Sequence, residues 1–381
     1  MRRLFACWTL LLLAAAPQTT LGAFRPTFWA DASSWLATDV VVVSTTAQDG
    51  VFEVLESWKG DLRAGSKVVV AGLIPPADGI PISGYLKLGF SALQGGVSEQ
   101  TPRQPVGSRM VLFLKSSATG LSPEDVADHG EKTGWEPADA WGSWKVSAVW
   151  IDEGKLYCFF QPMNAGPSIV YPLYPDFIRP SSKPISYPLN PATEQELKER
   201  VKEVSLIQEE MASILAAPAS EERAQLLKPY VLSDIYSARQ LALKELGSSG
   251  PTAVATIRGM IDDPAFAERA ADLIVAMAKA GGDSVAGDLN ELLQQELAFW
   301  KTNGPSLRWG WWNQDATPSA PLRLRQEQTY RLIIALEQTR YPAARETAKQ
   351  LIDLWNSEPQ LDPGDQLGDE CKKLMTPLPA R

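Results

Sequence analysis

Histidine and cysteine are scarce in this chain. Its 381 residues include 1 His and 3 Cys, and the histidine, His129, lies in a polar stretch at 128–132. Nucleophilic triads need a positioned imidazole, and structural zinc sites take His and Cys ligands. The sequence also contains neither Gly-x-Gly-x-x-Gly nor Gly-x4-Gly-Lys-Ser/Thr, the glycine-rich phosphate-binding motifs. We therefore predict no catalytic residues, no metal site and no cofactor.

Positively charged residues are also fewer than negatively charged ones. The chain has 36 Lys and Arg against 45 Asp and Glu, a formal net charge of −9. Nucleic acid and anionic membranes attract concentrated Lys and Arg, so we expect neither as a main partner. The composition does not exclude one type of catalytic site, a pair of carboxylates of the kind that hydrolyses glycosides. The sequence alone does not identify which two acidic residues would form such a pair.

Residues 1–22 have the three parts of a secretory signal peptide. Positive charge at 1–3 precedes an apolar run at 4–16, and small residues follow at 20–22. The apolar run is well short of the ~20 residues that span a bilayer, and no later segment reaches that length without charges. We expect a cleaved signal and an exported bacterial protein, periplasmic or extracellular and not integral to a membrane.

Two cysteines remain after such cleavage, Cys158 and Cys371. An exported compartment permits a disulfide between them. The alternative is that they are buried thiols, a common environment for cysteine. The sequence does not give the Cα separation that would decide between the two.

Residues 23–161 are predicted to form a β domain. Short apolar runs with turn residues between them are typical of strands, and these runs occupy 40–43, 51–55, 67–71, 85–90, 110–114, 146–151 and 156–160. Strands without intervening helices favour a small sandwich or a partly open, OB-like barrel. Tryptophans at 135, 141, 144 and 150 are expected in its core or at a domain interface.

A proline-rich joint, 162–192, is predicted to be extended, because proline lacks the amide donor and fixes φ. From 193 to 381 the apolar period is that of α-helices, and it begins with the capping-box pair Thr193 and Glu196. The segment 238–261 aligns with 270–293, and a weaker third pair covers 324–355. Such repeats bury their apolar faces against one another. The predicted fold class is α+β with two segregated domains, and the acidic stretch 362–370 is predicted to be a solvated terminus.

Two family resemblances follow. The stretch 238–247, with Ala238 and Arg239 at its start, resembles HEAT-like α-solenoid repeats over 220–355, which implies a binding or scaffolding surface. The stretches 40–43, 52–60, 67–70 and 107–114 resemble bacterial netrin-like domains, similar to the OB-type barrel of tissue inhibitors of metalloproteinases. Those inhibitors ligate the protease metal with an amino-terminal cysteine. Here Cys7 leaves with the signal and the new end lies near Ala23, so the resemblance implies a fold rather than inhibition by that route.

Tryptophan is concentrated near position 305, at Trp300, Trp309, Trp311 and Trp312. Exposed rings, with Arg308, would stack on sugars or anchor a protein, whereas buried rings would seal helix pairs. We expect an exported, non-catalytic interaction or scaffold protein that binds another protein through its helical repeat, its β domain or both. The alternatives are a protease inhibitor or regulator that acts through the netrin-like domain, and a carbohydrate-binding or carbohydrate-active protein that uses the tryptophan-rich loop.

Overall fold

A computed structural model describes residues 30–48, 50–70, 106–116, 134–141, 144–152, 154–162, 169–172, 191–308, 320–339, 341–361 and 366–376. Contacts between residues divide the chain into two units, one of Met1–Tyr174 with Pro191–Lys198 and one of Pro175–Asn190 with Glu199–Arg381. An antiparallel sheet lies in the N-terminal region and helices fill the C-terminal region. This confirms the predicted α+β class with segregated parts.

The sheet pairs in the order β3-β2-β1-β4-β7-β8-β9, with β5 on β4 and β6 on β7. A helix precedes the strands, and their bounds are α1 (Ala30–Leu36), β1 (Asp39–Thr45), β2 (Val51–Lys59), β3 (Lys67–Val69), β4 (Arg109–Ser116), β5 (Trp135–Pro137), β6 (Asp139–Trp141), β7 (Trp144–Asp152), β8 (Lys155–Pro162) and β9 (Ile169–Pro172).

Five of these strands close a ring. Val70, just after β3, forms a parallel bridge with Trp135 of β5. β5 pairs with one edge of β4, and the other edge of β4 pairs with β1. The resulting order around the ring is β1-β2-β3-β5-β4.

Alternate residues along β1, β2, β3 and β4, with two residues of β7, face a common core, as the pleat of a strand requires. The core consists of Val41, Val43, Phe52, Val54, Val68, Val70, Met110, Leu112, Leu114, Ala148 and Trp150. The alternate residues of β1 and β4 are buried too, since Val40, Val42 and Val111 are 0 % exposed. Burial on both faces explains why 40–43 is an uninterrupted valine run.

Six of the predicted strands are confirmed, as β1, β2, β3, β4, β7 and β8, whereas the run 85–90 lies outside the described residues. The strands β5 and β6, three residues each, were not predicted. The strand β9 lies within the stretch predicted as a joint, and it pairs only with β8 along the path of the sheet. An edge position tolerates the proline Pro172, which ends β9.

The C-terminal region contains nine helices among the described residues, joined by 3-10 turns. They are α2 (Glu194–Leu215), α3 (Glu221–Leu227), α4 (Tyr236–Ser248), α5 (Val254–Ile261), α6 (Ala270–Gly281), α7 (Ala286–Asn303), α8 (Ala320–Gln338), α9 (Pro342–Ser357) and α10 (Gln366–Met375). The predicted capping box begins α2, where the Glu196 amide donates to Thr193 Oγ1 at 3.2 Å and the Thr193 amide donates to Glu196 Oε2 at 3.2 Å.

Helices of the second unit alternate between two rows. The first row is α4, α6, α8 and α10, each in contact with the next. The second row is α5, α7 and α9, which pack in turn on α6, α8 and α10. This confirms the helix pairs predicted at 238–261, 270–293 and 324–355, and it shows how each pair buries its apolar face against the next.

The stretch 362–370, predicted to be a solvated terminus, is described only from residue 366, where it is the start of a helix and Asp369 is exposed. Residues Gln366–Met375 form α10, which packs on α8 and α9. Cys371 and Leu374 are 0 % and 6 % exposed, and they fix one side of the helix in the core. Exposed ion pairs such as Lys372 with Asp369 lie on the other side of the helix. These charged residues made the short apolar stripe of α10 hard to recognise in the sequence.

Candidate functional site

A groove of about 410 Å³ lies between α7 and α9, the last two helices of the second row. We call it the amide groove. Its lining residues are Gln294, Leu297, Ala298, Lys301, Ala343, Glu346, Thr347 and Gln350. On each helix these residues occupy positions i, i+3, i+4 and i+7, so each wall is one continuous helical stripe. The exposed alanines, Ala298 and Ala343, leave the space that larger side chains would fill.

The floor of the amide groove is fixed and its rim is polar. Leu297 and Thr347 are 6 % and 3 % exposed, and Thr347 Oγ1 donates to Oδ1 of Asn290, also buried, at 3.1 Å. On the rim, Lys301 Nζ of α7 donates to Gln350 Oε1 of α9 at 3.1 Å. This bond links the two walls.

The rim offers both hydrogen-bond donors and hydrogen-bond acceptors. A glutamine side chain presents both an NH₂ and a carbonyl, Lys301 presents only donors, and Glu346 only acceptors. A polypeptide backbone presents the same two groups at every residue. The groove therefore suits a polar, extended ligand, and it brings together no nucleophile with a neighbouring base.

A partly buried ion pair lies on the side of α7 that faces α8. Glu296 Oε2 is 3.0 Å from Arg325 Nε, and the Arg325 guanidinium lies 4.3 Å from the centre of the Phe299 ring. Burial raises the pKa of the Glu296 carboxyl to about 7, although Arg325 and the Thr329 hydroxyl act to lower it. This carboxyl therefore exchanges a proton near neutral pH.

The tryptophan cluster predicted from the sequence is only partly described. Trp300 is 2 % exposed and belongs to the core between α7 and α8, as the packing alternative required. Arg308 is exposed, and Trp309, Trp311 and Trp312 lie outside the described residues. The carbohydrate and protein-anchoring hypotheses for these three rings stay predictions.

The other candidate residues are placed as follows. Cys371 is buried in α10, and Cys158 lies on β8, where its side chain is outside the described residues, so their pairing stays a prediction. His129 is also outside those residues. In the ranges that the structure describes, no three His, Cys, Asp or Glu side chains are placed to hold a metal ion.

Sequence reasoning missed the amide groove. The signal is present, because the stripes at 294, 297, 298 and 301 and at 343, 346, 347 and 350 have the same spacing and are poor in large apolar residues. A stripe of glutamine, alanine and threonine is also what a solvated helix face looks like. Only the contact between α7 and α9 makes a groove of the two stripes.

No helix in the described ranges is both long and apolar enough to cross a membrane. Comparisons with protein-family models, with curated proteins and with solved structures find no match to this chain.

Proposed function

We propose that this chain is an exported, non-catalytic interaction protein that binds an extended segment of another polypeptide in the amide groove. The observation that carries the proposal is the pair of matched stripes on α7 and α9. They leave a groove of about 410 Å³ between two helices of a repeated array.

Side-chain chemistry supports a polypeptide as the ligand. Gln294 and Gln350 stand on opposite walls, and each can donate to a backbone carbonyl and accept from a backbone amide. The Lys301–Gln350 hydrogen bond joins exposed groups, so a ligand can replace it at small net cost. Repeated helical arrays commonly present extended binding surfaces of this kind.

Family membership and location belong to the same proposal. The two alternating rows of helices support a HEAT-like repeat, and the ring order β1-β2-β3-β5-β4 supports a netrin-like barrel. The signal-like residues at 1–22 support export to the periplasm or the extracellular space.

The test fills the groove without touching its buried floor. Ala298→Tyr combined with Ala343→Tyr places two rings in the groove, and Ala255→Tyr on α5 is the matched control, since all three alanines are exposed. We expect the wild type and the control to capture the same polypeptide from the native host's secreted fraction, while the filled variant loses it. With the purified partner, calorimetry should give the filled variant a Kd at least roughly tenfold higher than that of the wild type. Equal affinity for all three proteins would refute the groove as the site.

A further inference from the structure

The stripe of α7 that lines the amide groove continues toward the start of that helix. Gly287 and Asn290 lie seven and four residues before Gln294, so they occupy the same face of α7. A Cβ on Gly287 would lie 3.8 Å from the phenol oxygen of Tyr341, the residue that precedes α9. The Tyr341 side chain therefore reaches from α9 to α7 and stands across this end of the groove.

The Asn290 side chain has an unused hydrogen-bond donor at this end. Asn290 is 5 % exposed, and its Oδ1 accepts a hydrogen bond of 3.1 Å from Oγ1 of Thr347, which lines the groove. Among the described residues its Nδ2 donates to no acceptor, yet this nitrogen is not closed off from solvent. Buried side-chain amides normally have their donors satisfied, so the free NH₂ beside a groove is a group that a ligand can satisfy.

The start of α9 adds two more donors. Pro342 has no amide hydrogen, and the Ala344 amide donates to the Tyr341 carbonyl oxygen at 3.2 Å. The amide of Ala343, which lines the groove, is one that the first turn of a helix leaves without an intrahelical acceptor, and no side chain caps it. The Tyr341 hydroxyl, on a residue that is 36 % exposed, makes no hydrogen bond in the described ranges.

The three donors lie close together. Gly287, beside the Tyr341 hydroxyl, is one turn before Asn290 on α7, and Ala343 is one turn before Thr347 on α9. Asn290 and Thr347 are themselves in hydrogen-bond contact. The Ala343 amide and the Tyr341 hydroxyl therefore each lie about 5.4 Å, one helical turn, from that contact.

The two helices start at the same end of the groove. Asn290 contacts Thr347 near the beginning of both, and Lys301 contacts Gln350 further along both. The positive ends of both helix dipoles therefore lie beside the three donors. Helix starts with free amides favour the binding of an anion.

The acidic side chains of the neighbourhood are directed away from this end. Glu346 Oε1 lies 3.4 Å from Nε2 of Gln350, so this carboxylate is directed along α9 toward its C-terminal end. Asp288 follows Gly287, and one residue of helix turns it about 100° away from the stripe. The donors are thus left for a carboxylate of the ligand.

We propose that this end of the amide groove binds the C-terminal carboxylate of a polypeptide. The carboxylate accepts hydrogen bonds from Asn290 Nδ2, the Ala343 amide and the Tyr341 hydroxyl, and bonds to an ionised acceptor are roughly twice as strong as neutral ones. A chain end fits better than an acidic side chain, because Tyr341 stands across the groove and the main chain has to stop there. The inference rests on the proposed polypeptide binding and adds which part of the partner is bound.

The experiment compares two pools of random hexapeptides, labelled with fluorescein at the N-terminus. The pools are identical except that one ends in a free carboxylate and the other in an amide. Fluorescence anisotropy measures their binding to the full chain. The wild type should reach half-saturation with the carboxylate pool at a roughly tenfold lower protein concentration than with the amide pool.

Asn290→Asp is the first test variant, because it keeps the oxygen that accepts from Thr347 and replaces the NH₂ group with an oxygen that repels a carboxylate. It should abolish the preference for the carboxylate pool and change binding of the amide pool less than twofold. Tyr341→Phe, the second, removes only an exposed hydroxyl and should reduce the preference roughly threefold. Tyr236→Phe, at an exposed tyrosine on α4, is the matched control and should change neither pool.

The proposal is overturned if the wild type binds the two pools equally or binds neither. It is also overturned if the preference for the carboxylate pool survives both Asn290→Asp and Tyr341→Phe. Capture of the natural partner by the groove-filled variant decides the groove proposal separately. If that variant loses the partner while the wild type shows no preference between the pools, the groove proposal stands and the present one fails.

Discussion

The indole Nε1 of Trp300 donates a hydrogen bond of 3.0 Å to Oγ1 of Thr329, and both residues are buried. The bond joins α7 to α8 across the two rows. Thr329 Oγ1 also lies 3.3 Å from Glu296 Oε2, so a tryptophan, a threonine and a carboxyl share one polar site in the core. The first tryptophan of the predicted cluster is therefore a structural residue.

Trp300→Ala should destabilise the helical unit by about 3–5 kcal/mol, the usual cost of removing a large buried aromatic side chain. Trp300→Phe keeps most of the apolar contact and loses only the bond to Thr329, so about 1–2 kcal/mol is expected. Urea unfolding monitored by far-ultraviolet circular dichroism measures both. A Trp300→Ala loss below 1 kcal/mol would contradict the burial of this ring.

Glu296→Gln should change how stability depends on pH. Because burial raises the carboxyl pKa in the folded state from 4.5 to about 7, the folded protein holds a proton there that the unfolded chain has released. The contribution of Glu296 to the free energy of unfolding is therefore fully present below about pH 4.5. It decreases by on the order of 3 kcal/mol as the pH rises to about 7.

The glutamine variant does not titrate at this position. Its free energy of unfolding should therefore increase relative to that of the wild type as the pH rises from about 4.5 to about 7. Unfolding free energies at pH 4.5, 6 and 7.5 measure the difference, with Glu291→Gln, an exposed glutamate on α7, as the control. A constant difference between Glu296→Gln and the wild type would show that Glu296 ionises normally in the folded protein.

Gly60→Ala should damage the β unit more than Gly65→Ala. Both glycines have positive φ, +86° and +82°, which strains any other residue by about 1–2 kcal/mol. A Cβ on Gly65 meets nothing within 4 Å, whereas one on Gly60 overlaps the Asp39 carboxylate and lies 2.7 Å from the Thr38 carbonyl oxygen. Asp39 Oδ1 accepts the amides of Asp61 and Leu62, at 2.9 and 3.3 Å, so it cannot easily move aside.

We expect Gly65→Ala to cost about 1 kcal/mol and Gly60→Ala to cost roughly 3 kcal/mol or more. Thermal unfolding of the two variants side by side is the measurement. Equal melting temperatures would mean that the turn after β2 rearranges and that Asp39 does not hold it.

The strands could be predicted where their burial produces a clear pattern of apolar residues in the sequence. An apolar run such as the valines at 40–43 is typical of a strand buried on both faces or of a buried helix. The sequence Asp49-Gly50 soon after it, a dipeptide common in turns, favours the strand. The strands β5 and β6 have three residues each, too few for any period to show. Pairing with β4 and β7 makes them strands, and that pairing depends on residues distant in the chain.

The same limit applies to the candidate sites. The sequence shows four tryptophans near position 305 but not that the partner of Trp300 is a threonine 29 residues away. Helical spacing gives each wall of the amide groove, and only packing of the helices gives the groove.

Photo-crosslinking shows whether a polypeptide lies in the amide groove. Benzoyl-phenylalanine replaces Gln294 or Gln350 on the rim, and Lys349, exposed on α9 outside the groove, is the control position. After irradiation in the native secreted fraction, both rim positions should form adducts with one and the same polypeptide, and position 349 should not. Adducts of equal yield at all three positions, or none at the two rim positions, would contradict the claim.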